Sequence, residues 1–222
     1  MPFSAPGFII LLSYLLGSIP FGYLLVRTFR GQDIRASGSG NIGATNVARS
    51  GSKGLAISTL LLDALKGFLA VQVAFHMNGA YGHFAPQQAL GDTRSVFEAL
   101  RGAYLAGAVA AFCAMLGHMF PVWLRFKGGK GVATAVGAFV AISPRALGVV
   151  LLLFLITVAV TRYVSLGSML GAAVFPFIAW WLSRGVLTSG AMAFIAACSA
   201  LIIVRHKDNV RRLLAGTENR FR

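Results

Sequence analysis

Six stretches of this chain, 6–26, 55–77, 102–122, 146–160, 166–182 and 187–204, are apolar almost throughout, and their only formal charges are Asp63 and Lys66. A helix needs about 20 apolar residues to cross the hydrocarbon of a bilayer, and inside it every backbone amide must find its partner within the helix. Runs of this length and number cannot be folded into one water-soluble core. The composition agrees, at 57% hydrophobic and 12% charged, against roughly 45–50% and 25% in average soluble domains. The class predicted is all-α, a polytopic membrane protein with residues 1–222 forming a single integral membrane domain. Cys113 and Cys198 sit inside apolar runs and read as buried thiols.

A seventh apolar segment, 131–142, is too short for an ordinary span: twelve residues reach only about 18 Å as a helix. It is either a short crossing or a half-span that returns. Charge placement separates the two. With seven crossings and the N-terminus outside, the inner side holds 15 basic residues: Arg27, Arg30, Arg35, Arg49, Lys53, Arg125, Lys127, Lys130, Arg162, Arg205, Lys207, Arg211, Arg212, Arg220 and Arg222. The outer side holds Arg94, Arg101, Arg145 and Arg184. Basic residues gather on the cytoplasmic side of membrane proteins, so seven helices, one short, with the C-terminus in the cytoplasm is the predicted arrangement. The N-terminal run lacks the basic start and small-residue cleavage site of a signal peptide and reads as a retained span. The largest outer loop, 79–98, carries no chemical motif.

The net charge of +14 would suggest nucleic acid in a soluble protein; here it suits membrane lipids and small anionic substrates, with no nucleic-acid partner. The polar and glycine-rich residues collect in three segments, all on the predicted inner face. The first, Gly38-Ser39-Gly40-Asn41-Ile42-Gly43-Ala44-Thr45-Asn46, ends at Arg49. Its G-x-G-x-x-G pattern lacks the strand that a dinucleotide site requires. Glycines still let backbone N–H groups approach an anion, Ser39, Asn41, Thr45 and Asn46 add neutral donors, and Arg49 adds a planar fork for phosphate. A flexible interfacial loop is the plainer reading. The second, Lys127-Gly128-Gly129-Lys130-Gly131, is not a Walker A loop, but it leads into a helix start where amides, dipole and Lys130 could hold phosphate. A basic loop that only sets topology is the alternative. In the third, His206 and Asn209 share a helical face beside Arg205, Arg211 and Arg212; a basic amphipathic helix on the membrane surface would look the same. Asp63 and Lys66, three residues apart in a span, read as a structural ion pair, and His118 as a core histidine or a secondary site residue. No carboxylate or histidine cluster has metal-ligand spacing, so the activity is predicted to need neither metal nor other cofactor.

Taken together these segments resemble the acyl-phosphate-dependent glycerol-3-phosphate acyltransferases of bacterial membranes. The likeness runs from Leu15-Leu16-Gly17-Ser18-Ile19-Pro20-Phe21-Gly22 through the Gly38–Asn46 stretch and Leu61-Leu62-Asp63-Ala64-Leu65-Lys66-Gly67. It continues in Gly117-His118-Met119-Phe120-Pro121, Phe126-Lys127-Gly128-Gly129-Lys130-Gly131, Arg162-Tyr163-Val164-Ser165-Leu166 and Arg205-His206 to Glu218. The resemblance implies a seven-helix enzyme of the bacterial cytoplasmic membrane, its site facing the cytoplasm. It would move a fatty acyl group from acyl phosphate to glycerol 3-phosphate, giving lysophosphatidic acid and phosphate, the first step of phospholipid synthesis. By motif, Ser39, Arg49, Lys130, His206 and Asn209 take the family's catalytic places. Ser168 falls at a serine that lines the family's site, and Glu218 at a glutamate of structural role. The reading of the loops themselves adds Gly38, Gly40, Asn41, Asn46, Gly128, Gly129 and Gly131 as substrate-binding residues, with Asp63 and Lys66 as structural groups. The enzyme that produces acyl phosphate is an implied partner.

Acyl phosphate is an activated anhydride, which favours direct attack by a glycerol hydroxyl over an acyl-Ser39 intermediate, for which no His-Asp partner is evident. His206 and a substrate phosphate oxygen both stand as the base. No His-x-x-x-x-Asp pair occurs, which sets aside acyltransferases built on that pair. The competing class is a membrane transporter or channel for a phosphorylated anion, which should place its charged elements near mid-membrane with access from both faces.

Overall fold

The computed structural model describes residues 5–78, 93–183 and 185–220, and every regular element among them is helical. In chain order these are α1 (Ala5–Ser18), α2 (Phe21–Arg30), α3 (Ala44–Arg49), α4 (Lys53–Met77), α5 (Thr93–Met119), α6 (Val132–Ile142), α7 (Pro144–Thr161), α8 (Val164–Leu182), α9 (Ser189–Arg205) and α10 (Lys207–Leu214). Five segments are long and apolar enough to cross a membrane: Pro6–Arg30, Lys53–Met77, Thr93–Leu124, Pro144–Thr161 and Val164–Leu182. A sixth results if α9 and α10, bent by 51° at His206, count as one. The protein is a multi-pass membrane protein.

Two boundaries differ from those predicted. The first span is not continuous, because α1 stops at Ser18 and α2 begins after Pro20. Proline has no N–H to continue the ladder and restricts the residue before it. At the break the Ile19 carbonyl accepts from the Phe21 amide at 3.1 Å and from Lys66 Nζ at 2.7 Å. The third span starts at Thr93, so residues 93–98 of the predicted outer loop are helical; its remainder, 79–92, lies outside the described residues, as do Arg184 and Arg222. The short segment is an 11-residue helix, α6, joined to α7 through Ser143 alone, with Pro144 opening α7 at a position that tolerates a missing N–H.

Between helices in lipid no hydrophobic force selects contacts, so close approach of small residues does. A Cβ on Gly17 would strike the Ala114 carbonyl, one on Gly67 the Thr134 carbonyl and one on Gly137 the Ala64 carbonyl. These glycines seat α1 on α5 and α6 on α4. The core that results includes Met115, Phe139, Phe175 and Ile195, with the Phe139 and Phe175 rings stacked at 4.0 Å. Outward-facing Leu61, Leu155, Val160 and Phe177 are all more than half exposed, as a lipid-facing surface requires, and Trp123, Trp180 and Trp181 stand exposed at helix ends.

Candidate active site

The loop between α2 and α3 has little apolar surface to bury and is organised by one side chain. Asn46, buried on α3, donates from Nδ2 to the carbonyls of Ile34 (3.1 Å), Ser37 (3.1 Å) and Asn41 (2.8 Å), and its Oδ1 accepts from the Ser39 amide at 2.8 Å. Gly38, at φ +58°, passes so close that a Cβ would strike Asn46 Oδ1. Asn46 was predicted as a substrate donor; its amide hydrogens are occupied by backbone, and what it does is hold Ser39 in place. Asn41 accepts from the Gly43 amide at 2.9 Å, and the Gly40 amide bonds to Ser37 O. Ser39 and Arg49 are exposed, and among the described residues neither side chain has a hydrogen-bond partner.

The second loop corrects another expectation. After α5 the chain turns through Arg125 and Phe126, both with positive φ, and doubles back. The Gly128 amide then donates to Met119 O (3.2 Å) and the Gly129 amide to His118 O (3.0 Å). These N–H groups, predicted to hold anion, are occupied by backbone. The glycines are needed for proximity: a Cβ on Gly128 would strike the His118 carbonyl, and one on Gly129 the His118 ring. Their carbonyls accept from the Arg205 guanidinium at 3.0–3.2 Å, so Arg205 fastens this loop to α9 and is not held for lipid. Gly131, at φ +81°, starts α6, whose first-turn amides have no partner further up the helix.

At the α9–α10 bend, His206 is buried with Nδ1 2.7 Å from Ile202 O. A carbonyl can only accept, so the ring hydrogen sits on Nδ1 and Nε2 keeps its lone pair. Burial pushes the His206 pKa down to about 4; its bond to Ile202 O and the charge of Glu218 oppose this, while Lys130 and Arg205 add to it. Asn209 joins the second and third segments: Lys130 Nζ donates to its Oδ1, and its Nδ2 donates to Glu218 Oε1 at 2.7 Å. Glu218 also accepts from Ser165 Oγ at 2.8 Å and Arg212 Nε at 2.7 Å. Burial opposes its charge, yet the bonds from Arg212, Asn209 and Ser165 win and hold its pKa below the usual range. Lys130 is lowered to about 8, chiefly by burial and then by the charge of Arg212.

One cavity of about 190 Å³ collects these groups. Ser39, Asn41, Asn46, Arg49, Lys130, Gly131, Ser168, His206, Asn209 and Glu218 all line it, as do Asp63 and His118. Gly38, Gly40, Gly128, Gly129 and Lys66 do not; they shape what does. The Ser168 hydroxyl donates to Val164 O at 2.9 Å. Asp63 Oδ1 lies 2.8 Å from Lys66 Nζ and 3.6 Å from His118 Nδ1, so the predicted ion pair exists and His118 stands beside it. Ser165 lines the cavity as well, although it has no predicted role of its own; its signals are its place in the Arg162–Leu166 stretch and a helical turn before Ser168. Leu60, Phe154 and Val164 complete the wall, and Leu60, 49% exposed, carries that wall toward the lipid-facing surface. Among the described residues no group of three His, Cys, Asp or Glu side chains could hold a metal ion.

The sequence model of the glycerol-3-phosphate acyltransferase family matches residues 7–216. The chain belongs to this family. A glycerol-3-phosphate acyltransferase of Rhodopseudomonas palustris (strain BisB5) is 43% identical over 212 residues, covering 96% of this chain and 94% of that protein. One from Geobacter sulfurreducens is 44% identical over 210 residues, covering 95% and 94%. The crystal structure of PlsY (YgiH), an integral membrane glycerol 3-phosphate acyltransferase, in its glycerol 3-phosphate form, superposes with a TM-score of 0.79 at 34% identity. It covers 99% of this chain and 96% of that one. The lysophosphatidic acid form of PlsY superposes with a TM-score of 0.77 at 33% identity. In this acyltransferase the charged and hydrogen-bonding groups thus meet at one end of the helices, beside an apolar wall.

Proposed function

We propose that the protein transfers a fatty acyl group from acyl phosphate to glycerol 3-phosphate, producing lysophosphatidic acid and inorganic phosphate, the first step of phospholipid synthesis. The observation that carries this reading is the convergence of Ser39 and Arg49, Lys130, and His206 and Asn209 on one cavity whose wall also carries the apolar Leu60, Val132, Phe154 and Val164. Cations and donors suit two phosphates, and the apolar wall suits an alkyl chain. A transporter for a phosphorylated anion fits less well, because these groups gather at one end of the helices.

The glycerol hydroxyl oxygen attacks the acyl carbonyl carbon, and the bond from that carbon to the phosphate oxygen breaks. The hydroxyl proton leaves for the base and ends on phosphate. Lys130 and Arg49 hold the phosphates and offset charge growing on the departing one, while Ser39 and Asn209 orient them. Orientation alone is worth up to ~7–11 kcal/mol in ideal intramolecular systems. His206, neutral with its Nε2 lone pair free, accepts the hydroxyl hydrogen bond; with a pKa near 4 it orients the nucleophile better than it removes the proton, which favours a substrate phosphate oxygen as the base.

The whole chain acts as one domain in the bacterial cytoplasmic membrane, with seven crossings, α6 the short one, N-terminus outside and C-terminus and cavity on the cytoplasmic side. The enzyme that makes acyl phosphate is its functional partner. Purified protein in detergent, given acyl phosphate, should release phosphate only when glycerol 3-phosphate is present, with stoichiometric lysophosphatidic acid. Phosphate release that ignores the acceptor, or an acyl ester trapped on Ser39, would overturn this mechanism.

A further inference from the structure

A second concavity, of about 530 Å³, lies beyond the α7–α8 turn from the catalytic cavity. Its walls include Val160 at the end of α7, Arg162 and Tyr163 of the turn, Leu213 and Leu214 at the end of α10, and Arg220. The stability of the fold does not explain this grouping. Val160 is 78% and Leu214 85% exposed. Arg162 sits at φ +63°, the left-handed cap of α7 where glycine is the usual choice, and among the described residues its guanidinium has no partner. The Arg220 guanidinium lies over the Tyr163 ring at 5.6 Å and donates to its hydroxyl at 3.3 Å, with no carboxylate in reach among the described residues.

Two cations and an aromatic hydroxyl thus stand beside uncovered aliphatic side chains, at the level where the spanning helices end. Guanidinium forks match phosphodiester oxygens, and apolar side chains at that depth match the first carbons of acyl chains. A soluble phosphate would use the arginines and leave Leu214 uncovered, whereas a lipid bound here continues the lipid-facing surface to which Val160 belongs. We propose that this groove binds the headgroup of an anionic phospholipid of the bilayer, such as phosphatidylglycerol. The lipid would fasten the C-terminal segment to the α7–α8 turn. That turn is shared: Val164 and Ser165 face the catalytic cavity while Tyr163 and Leu166 face the groove, and Glu218 lies two residues before Arg220.

The test compares the full-length wild type with Arg162→Gln/Arg220→Gln in nanodiscs of phosphatidylcholine carrying a minor fraction of phosphatidylglycerol, counting the phosphatidylglycerol retained per protein by native mass spectrometry. The variant should hold it on the order of 30-fold more weakly, as expected for two interfacial cations, while its kinetics in pure phosphatidylcholine match the wild type. Arg162→Lys/Arg220→Lys keeps the charge without the fork and should bind between the wild type and the Gln variant. Equal retention by wild type and the Gln variant would overturn the proposal, as would a Lys variant that binds no better than the Gln variant. Displacement of the lipid by inorganic phosphate would make this a soluble-anion site and overturn it too. The readout is lipid retention, so its outcome is independent of the acyl-transfer reading.

Discussion

At the scale of single residues, three donors meet on Glu218: Ser165, Asn209 and Arg212. Glu218→Ala would leave all three short of an acceptor, each buried one costing about 1–3 kcal/mol. It should lower the thermal unfolding midpoint in detergent and abolish acyl transfer, while Glu218→Gln, which keeps an acceptor oxygen, should lose less of both. Lys130 sets a pH limit. Its pKa is lowered to about 8, so its positive charge is present below that pH and lost above it. Accordingly kcat/KM for glycerol 3-phosphate should fall as pH rises through about 8, and Lys130→Arg, at whatever lower rate, should lose that alkaline limb. The residues that meet in the cavity were legible in the sequence because few other positions break the apolar pattern. What Asn46, Gly128 and Gly129 do was not legible: spacing shows that a loop amide is available but not which carbonyl it will meet.

At the scale of elements, the helices were legible from hydropathy, and their breaks were not. The interruption at Ile19–Pro20 is invisible to composition because its repair comes from α4, through Lys66. Lys66 serves two acceptors, Ile19 O and Asp63, and both partners of the pair are only 2% exposed. Removing one partner of a buried pair costs about 3–5 kcal/mol, whereas replacing both can be nearly neutral. Lys66→Met should therefore destabilise the protein strongly in a denaturant titration, and Asp63→Leu/Lys66→Met should recover much of the loss. A double variant as unstable as the single one would place the importance of Lys66 at the Ile19 carbonyl instead.

At the scale of the whole molecule, the basic loops that line the site are the same ones that, in the proposed orientation, face the cytoplasm. Cysteines placed at the exposed positions Lys53 and Lys207 should react with an impermeant thiol reagent only when it is admitted to the cytoplasm, and one at Arg145 only from outside. The most direct test of convergence is a double-mutant cycle between Lys130 and Asn209, 79 positions apart and joined by a hydrogen bond. Single alanine variants, each assayed for kcat/KM with glycerol 3-phosphate, should lose on the order of 10²–10³-fold, and the double variant should be scarcely worse than the poorer single. Losses that multiply in the double variant would mean that the two segments act apart, and the shared site would be contradicted.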